Sequence, residues 1–166
     1  MSYPFRLVEQ ASIVSLLKPA ADAAGRTSAY VSMKNGHKAF ILAYVNQGNA
    51  ATVTLSPLQA TDSSGTGSKA ITATPIFTNL DTDTAPSDAF AAIAAAVNFT
   101  TDAPLKTKLV CFEIDPSECM DVNNLTKPFD HIGFSTGASN AANITSALLI
   151  ITPLRFAQKI PPSANV

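Results

Sequence analysis

The sequence predicts a mainly β protein: an antiparallel β-sandwich or jelly-roll-like domain with an extended N-terminal arm and little helix. Three observations predict it. The segment Tyr30 to Leu55, YVSMKNGHKAFILAYVNQGNAATVTL, spells three strands separated by the turn signals Asn35-Gly36 and Gln47-Gly48-Asn49. The C-terminal third repeats short β-like runs in KLVCFEI, HIGFS and SALLIIT, each bounded by turn formers. Counted along the chain, the candidates come to about seven or eight short strands at spacings typical of antiparallel sandwiches with Greek-key connections.

Taken in order, residues 1–28 read as the arm, 29–158 as the sandwich and 159–166 as a flexible tail with two prolines and no periodicity. From Glu9 to Ala24, Ile13, Leu16 and Leu17 fall at helical spacing, but Pro19 interrupts the pattern and Gly25 ends it. An extended arm or one helical turn is expected. Tyr3, Phe5, Leu7 and Val8 would be exposed unless docked, which suits a clasp onto a neighbour; the alternative is an edge strand of the same domain.

Asn35-Gly36 favours the positive φ angles of a type I′ hairpin. The strand after it, Lys38 to Asn46, is apolar on both faces, with Phe40, Leu42 and Tyr44 on one and Ala39, Ile41, Ala43 and Val45 on the other. A half-solvated strand alternates, so this one is expected to be covered twice, once by the core and once by another layer or subunit.

Ser56-Pro57 could open a short helix or a loop, and Thr61 to Ser68, TDSSGTGS, reads as loop. Lys69 to Asn79 returns to β composition, Pro75 marking an edge or bend, and Leu80 to Asp88 is an acidic loop. Ala89 to Val97 is predicted helical, since alanine is the best helix former, Ser87 can cap it and Phe90, Ile93 and Val97 share a stripe, with the following NFTT and the β-rich surroundings as the argument for part of it being extended. Lys108 to Ile114 alternates and stops at Asp115-Pro116. Two further strands, His131 to Ser135 and Ser146 to Thr152, flank the polar loop TGASNAANIT.

Composition narrows the function. Only 14% of the 166 residues are charged against 46% hydrophobic, a low charge for a protein alone in water and one that suits a subunit of an assembly. Eleven basic and twelve acidic residues give a net charge of −1 with no basic cluster, so direct nucleic-acid binding is not expected. The opening MSYPFRLVEQ lacks a signal-peptide pattern, and no run approaches about 18 apolar residues, which reads as a soluble chain made in a cytoplasm with no membrane contact. Cys111 and Cys119 are expected to be reduced thiols. The sequons at Asn98, Asn124 and Asn143 read as chance.

Candidate chemistry is sparse. His37 follows a turn and His131 sits beside Ile132, and neither is expected to be catalytic; a Cys111–His131 pair would need adjacent strands and an electropositive pocket. Asp81, Asp83 and Asp88, and Asp115, Glu118 and Asp121, lack the twelve-residue calcium-loop pattern. Gly65-Thr66-Gly67 has no following helix or P-loop lysine. Tryptophan is absent and aromatics make up only 7%, which disfavours a sugar-stacking platform. No catalytic, cofactor-binding or metal residue is assigned.

Three strings carry a family resemblance: YVSMKNGHKAFILAYVNQGNAATVTLSPLQATDSSGTGSKA, KTKLVCFEIDPSECMDV, and FDHIGFSTGASNAANITSALLIITPLRFAQ. Together, from about Tyr30 to Gln158, they resemble a family of small structural proteins of tailed bacteriophages, often encoded among head genes. The resemblance implies a virion component on the capsid exterior, a decoration or cement protein made in the host bacterial cytoplasm. Its implied partner is the major capsid protein; low charge, the two-faced strand and the avidity of a cyclic arrangement add the expectation of a homo-oligomer, a trimer first. It carries over no catalytic residue, and the chain departs from the family at Ala89 to Val97 and at the two cysteines. The competing readings are a tail or neck component, a carbohydrate-binding sandwich using Tyr30, Tyr44 or Phe134, and an enzyme built on His131, Cys111 and Glu113.

Overall fold

Strand alternation sorts this chain into two layers, and the computed structural model, which describes residues 7–84 and 89–154, shows which strand joins which. In chain order the described residues form α1 (Leu7–Gln10), β1 (Ser12–Ala21), β2 (Arg26–Thr27), β3 (Val31–Ser32), β4 (Gly36–Gln47), β5 (Thr54–Ala60), β6 (Lys69–Ala70), β7 (Thr74–Asn79), β8 (Ala91–Ala96), β9 (Phe99–Thr100), β10 (Thr107–Ile114), α2 (Pro116–Cys119), β11 (His131–Thr136) and β12 (Asn143–Leu154). The larger sheet runs β1-β12-β4-β10-β7-β8. The smaller runs β2-β11-β5-β6, with β3 also on β11 and β9 also on β5. Every pairing is antiparallel, so the predicted mainly β, sandwich-like architecture is what the chain adopts.

The three-strand block is divided between the layers. β3 pairs with β11 while β4 lies between β12 and β10, so the Asn35-Gly36 turn is a corner between sheets and not a hairpin. The Gly36 N–H donates to the Met33 carbonyl at 3.0 Å, and neither Asn35 nor Gly36 has positive φ, which corrects the type I′ expectation. Glycine is needed at 36 for another reason: a Cβ there would stand 2.1 Å from Ile151 Cγ2. The next turn, after Gln47, carries the chain back to β5 in the smaller sheet.

Three local expectations are corrected. Residues 12–21 form edge strand β1, bound to β12 from Ser12↔Ile151 to Ala21↔Ile144, in place of a free arm or helical turn. Ser12, Val14 and Leu17 face inward while Ile13 and Ser15 face outward, and the second of two register shifts, between Leu17 and Ala20, accommodates Pro19. Ser56-Pro57 lies inside β5; Pro57 falls between the stretches paired to β9 and to β6, where its missing N–H breaks no ladder bond. Ala91–Ala96 is strand, because the free edge of β7 offers a ladder through Ile76↔Ile93 and Phe77↔Ala92. The tail 159–166 and the side chains of Tyr3, Phe5 and Val8 lie outside the described residues.

Inward residues of the larger sheet, Ile41, Val110, Phe112, Leu149 and Ile151 among them, meet Leu55, Ile132 and Phe134 of the smaller one in a single core. Phe112 and Phe134 contact edge to face, with centroids 6.0 Å apart. Burial of each such side chain contributes about 1.5–3 kcal/mol, which commits one face of the larger sheet and leaves the other to be explained.

Candidate functional site

That other face is apolar in registered rows. Across one row stand Ile13, Ile150 and Phe40; across the next Leu148, Leu42, Cys111 and Phe77; across a third Tyr44 and Leu109. Directly opposed side chains lie about 4.5–5.5 Å apart at Cβ, so the rows merge into one surface. On it Ile13 is 44% exposed, Tyr44 46%, Leu148 41% and Ile144 40%, whereas Ala39, Ile41, Ala43 and Val45 on the reverse of β4 are fully buried. The apolar double face of β4 is therefore covered once among the described residues.

Charge on the central rows is confined to Lys38 and Glu113, which pair with each other, and Lys38 Nζ lies 5.9 Å from the Phe40 ring centre. The hydrogen bond that Lys38 donates to Glu113 raises the Lys38 pKa and keeps the ammonium charged. In the middle row, burial and then the nearby Glu113 charge push the Cys111 thiol up to about 11. Near neutral pH it is a protonated, unreactive side chain and part of the apolar surface.

The two ends of the sandwich differ. At the end where β4 starts, a cleft of about 340 Å³ is lined by Met33, Lys34, Gly36, Pro116, Ser117, Val122 and Asp130, and an adjoining hollow of about 290 Å³ adds His37 and Asp115. Its polar groups have structural duties. Asp115 accepts from the Ser117 N–H and hydroxyl at 2.9 and 2.6 Å, capping α2, and those bonds lower its pKa. Asp130 is 2.6 Å from His131 Nδ1 and 3.8 Å from Lys34 Nζ. A base with a free nucleophile beside it is not assembled there.

The opposite end is a buried polar cap. Lys108 occupies an inward position opposite Val45 and is fully buried; its ammonium donates to Gln47 Oε1 (2.8 Å), the Pro104 carbonyl (2.7 Å) and the Asp102 carbonyl (3.0 Å), with Asp102 Oδ1 also at 3.0 Å. Buried Asp22 accepts from Arg26 Nε (3.0 Å), Arg26 Nη2 (2.9 Å) and Thr136 Oγ1 (2.8 Å). Buried Asn143 donates to Ala51 O and Ser139 Oγ. These groups seal the sandwich and tie its loops. Sequence gave one sign of them: Lys108 shares its parity with Val110, Phe112 and Ile114.

The residues weighed for chemistry do not converge. Cys111 and Glu113 lie on the outer face of β10, while His131 is on β11 in the other sheet, so the Cys111–His131 pair is not formed. Tyr30 and Phe134 are buried and Tyr44 is exposed on the outer face, so the three share no groove. Asp81 is held to about 2, first by its hydrogen bond from Lys106 and then by Thr84, while Asp83 accepts from the Thr107 N–H at 3.2 Å. Asp121 pairs with Lys69 at 2.7 Å; Asp88 lies outside the described residues. Gly133-Phe134-Ser135-Thr136-Gly137 matches the letters of a nucleophile elbow, yet Ser135 sits within β11 between Thr27 and Ser56, and the next element is strand β12, not a helix. Among the described residues no three His, Cys, Asp or Glu side chains are grouped to hold a metal, and no helix is long and apolar enough to cross a membrane.

No family model and no curated protein matches the chain. Among solved structures it is similar to the SPBc2 prophage-derived protein YomS, with 8% identical residues, a TM-score of 0.45, and coverage of 86% of this chain and 93% of that one. At that distance, function has to be argued from this chain's own residues.

Proposed function

We propose that this protein is a structural subunit of a tailed-phage virion, a decoration protein that sits on the capsid exterior and cements the head shell. The observation that carries the reading is the outer face of the larger sheet, with Ile13, Tyr44, Ile144 and Leu148 exposed and one ion pair toward the end where β4 starts. A contiguous apolar face of this kind is costly in water and becomes favourable when another protein surface covers it. The partners on this reading are the major capsid protein and further copies of this chain, a trimer first. Each contact can be modest, because copies held around a symmetry axis bind the shell together and multiply their affinities. Low overall charge and the scattering of polar candidates favour work done by surfaces. The family resemblance of the strings from Tyr30 to Gln158 supplies the virion context.

Cryo-electron microscopy of particles, with addition of purified protein to shells lacking it, tests the proposal. Density at regular lattice points of the head and restored resistance of the shell to disruption are expected. Density confined to the tail or neck, or none on the particle, refutes the decoration role.

A further inference from the structure

Four sheet edges close this sandwich, and three are blunted. The smaller sheet ends in two-residue strands, β2 and β3 on one side and β6 and β9 on the other, too short to template a partner. In the larger sheet, edge strand β1 carries Lys18 and Pro19 and two register shifts, and Arg26 Nη1 occupies the Lys18 carbonyl at 2.8 Å. The fourth edge, β8, has none of the charged or proline devices: from Ala89 to Thr101 there is no Lys, Arg, Asp, Glu or Pro. Ala91 to Ala95 are exposed, and no described strand pairs with the edge of β8 that faces away from β7. One register shift falls toward its C-terminal half, leaving Ala91 to Ile93 in regular ladder geometry.

β8 is also where local preference and observed structure disagree. Alanine favours helix and is depleted in strands, and a strand exposed along its length gains little from packing. A ladder on one side holds it; a second ladder would satisfy the remaining backbone groups and supply the stabilisation the side chains lack. Such conflicts between local and global preference tend to mark functional positions.

From this edge we infer that β8 pairs antiparallel with β8 of a second copy about a twofold axis, joining two larger sheets into one continuous sheet. Charge selects that occupant. A twofold sets each edge residue beside its own counterpart or a near neighbour, so a charged edge would repel itself, and this one has no charge to repel. Phe90, Ile93 and Val97, each 40–43% exposed, add apolar surface beside the junction. A six-residue strand spans about 20 Å, so this contact alone buries well under the roughly 800 Å² per partner of a standard interface. The pairing is accordingly weak in dilute solution. It is strengthened where other contacts already hold copies close, and it would link neighbouring oligomers on a shell.

The test uses purified full-length protein without shells, so its failure leaves the decoration role standing and failure on shells leaves this pairing standing. Single cysteines are introduced at Ala91, Ala92, Ile93 and Ala94 in a Cys111→Ser, Cys119→Ala background, with Leu148→Cys in the same background as the outer-face control. A twofold antiparallel pair sets one residue opposite itself at a Cα separation of about 4.5–5.5 Å, within disulfide range. Mild oxidation should then give a covalent dimer that peaks at one position within Ala91 to Ile93 and falls off on either side. Lysine at the position where cross-linking peaks, exposed in each case, should weaken sedimentation-detected self-association by about fivefold through like-charge opposition. Cross-linking no faster on β8 than at Leu148→Cys, or self-association unchanged by lysine at the cross-linking position, overturns the inference.

Discussion

Replacing Leu148 by aspartate separates assembly from folding. Leu148 stands on the outer face between Leu42 and Ser15 and is 41% exposed, so in the free chain the new carboxylate remains in contact with water. Loss of its partial packing should cost no more than about 1 kcal/mol, as for other substitutions at exposed sites. In an assembly that covers the face, the same carboxylate is desolvated. The one cation of the central rows, Lys38, is opposite Thr152, four residues along β12 and so about 13 Å away, and is already paired with Glu113. An unpaired buried charge costs on the order of 3 kcal/mol or more, equivalent to at least about a hundredfold loss of affinity. Co-sedimentation with shells measures the second quantity and urea unfolding the first. Leu125→Asp serves as control, since Leu125 is fully exposed in a loop away from the face. Shell binding by Leu148→Asp equal to the wild type, with the fold intact, would refute the assignment of this face. Ala43→Asp lacks that power: Ala43 is fully buried in the core, so the change abolishes folding whatever covers the outer face.

Lys108→Met should lower unfolding free energy by on the order of 3 kcal/mol in urea titration, because the Asp102 and Pro104 carbonyls and Gln47 Oε1 lose a common donor in a buried end. Cys111 should react with thiol reagents far more slowly than the unfolded chain at pH 8, its ionisation midpoint lying near 11. The ordinary value is 9.0, so both states are protonated below it and the thiol leaves stability unchanged there; as pH rises from 9.0 to about 11 only the unfolded thiol ionises, and stability falls. A labelling midpoint near 9 contradicts the burial. Gly36→Ala should cost about 1–3 kcal/mol by overpacking against Ile151 Cγ2, and Ile151→Leu, which removes that methyl branch, should restore part of the loss in a double-mutant cycle.

The strands at Lys38–Asn46, Lys108–Ile114 and His131–Ser135 were legible because period-two alternation and turn residues act locally. What joins them is not local. Asn35-Gly36 carries a hairpin signal, but Ile151, more than a hundred residues away, decides why glycine stands there. β1 was obscured because Pro19 and two bulges break its alternation, and β8 because alanine's intrinsic preference opposes the ladder that β7 offers. Lys108 shows the converse limit. A charged residue at an inward position reads as a strand boundary until the acceptors of its ammonium, the Asp102 and Pro104 carbonyls and the Gln47 side-chain oxygen, are seen.

Exposed apolar residues are ordinary, since more than half of a folded protein's accessible surface is apolar, so Leu125 or Leu105 alone would imply nothing. Contiguity makes the difference here. Register places Ile13, Ile150, Phe40, Leu148, Leu42, Cys111, Phe77, Tyr44 and Leu109 in adjoining rows over five strands, and the only charges among those rows neutralise each other. Twofold pairing at β8 would extend the same sheet into a second copy without a charge at the seam, because Ala89 to Thr101 has none. The two surfaces then act in series: β8 sets copies side by side, and their outer faces are presented together to whatever covers them. Disrupting the edge should therefore weaken shell binding through lost avidity while leaving the affinity of one copy unchanged, whereas Leu148→Asp should weaken that single-copy affinity itself.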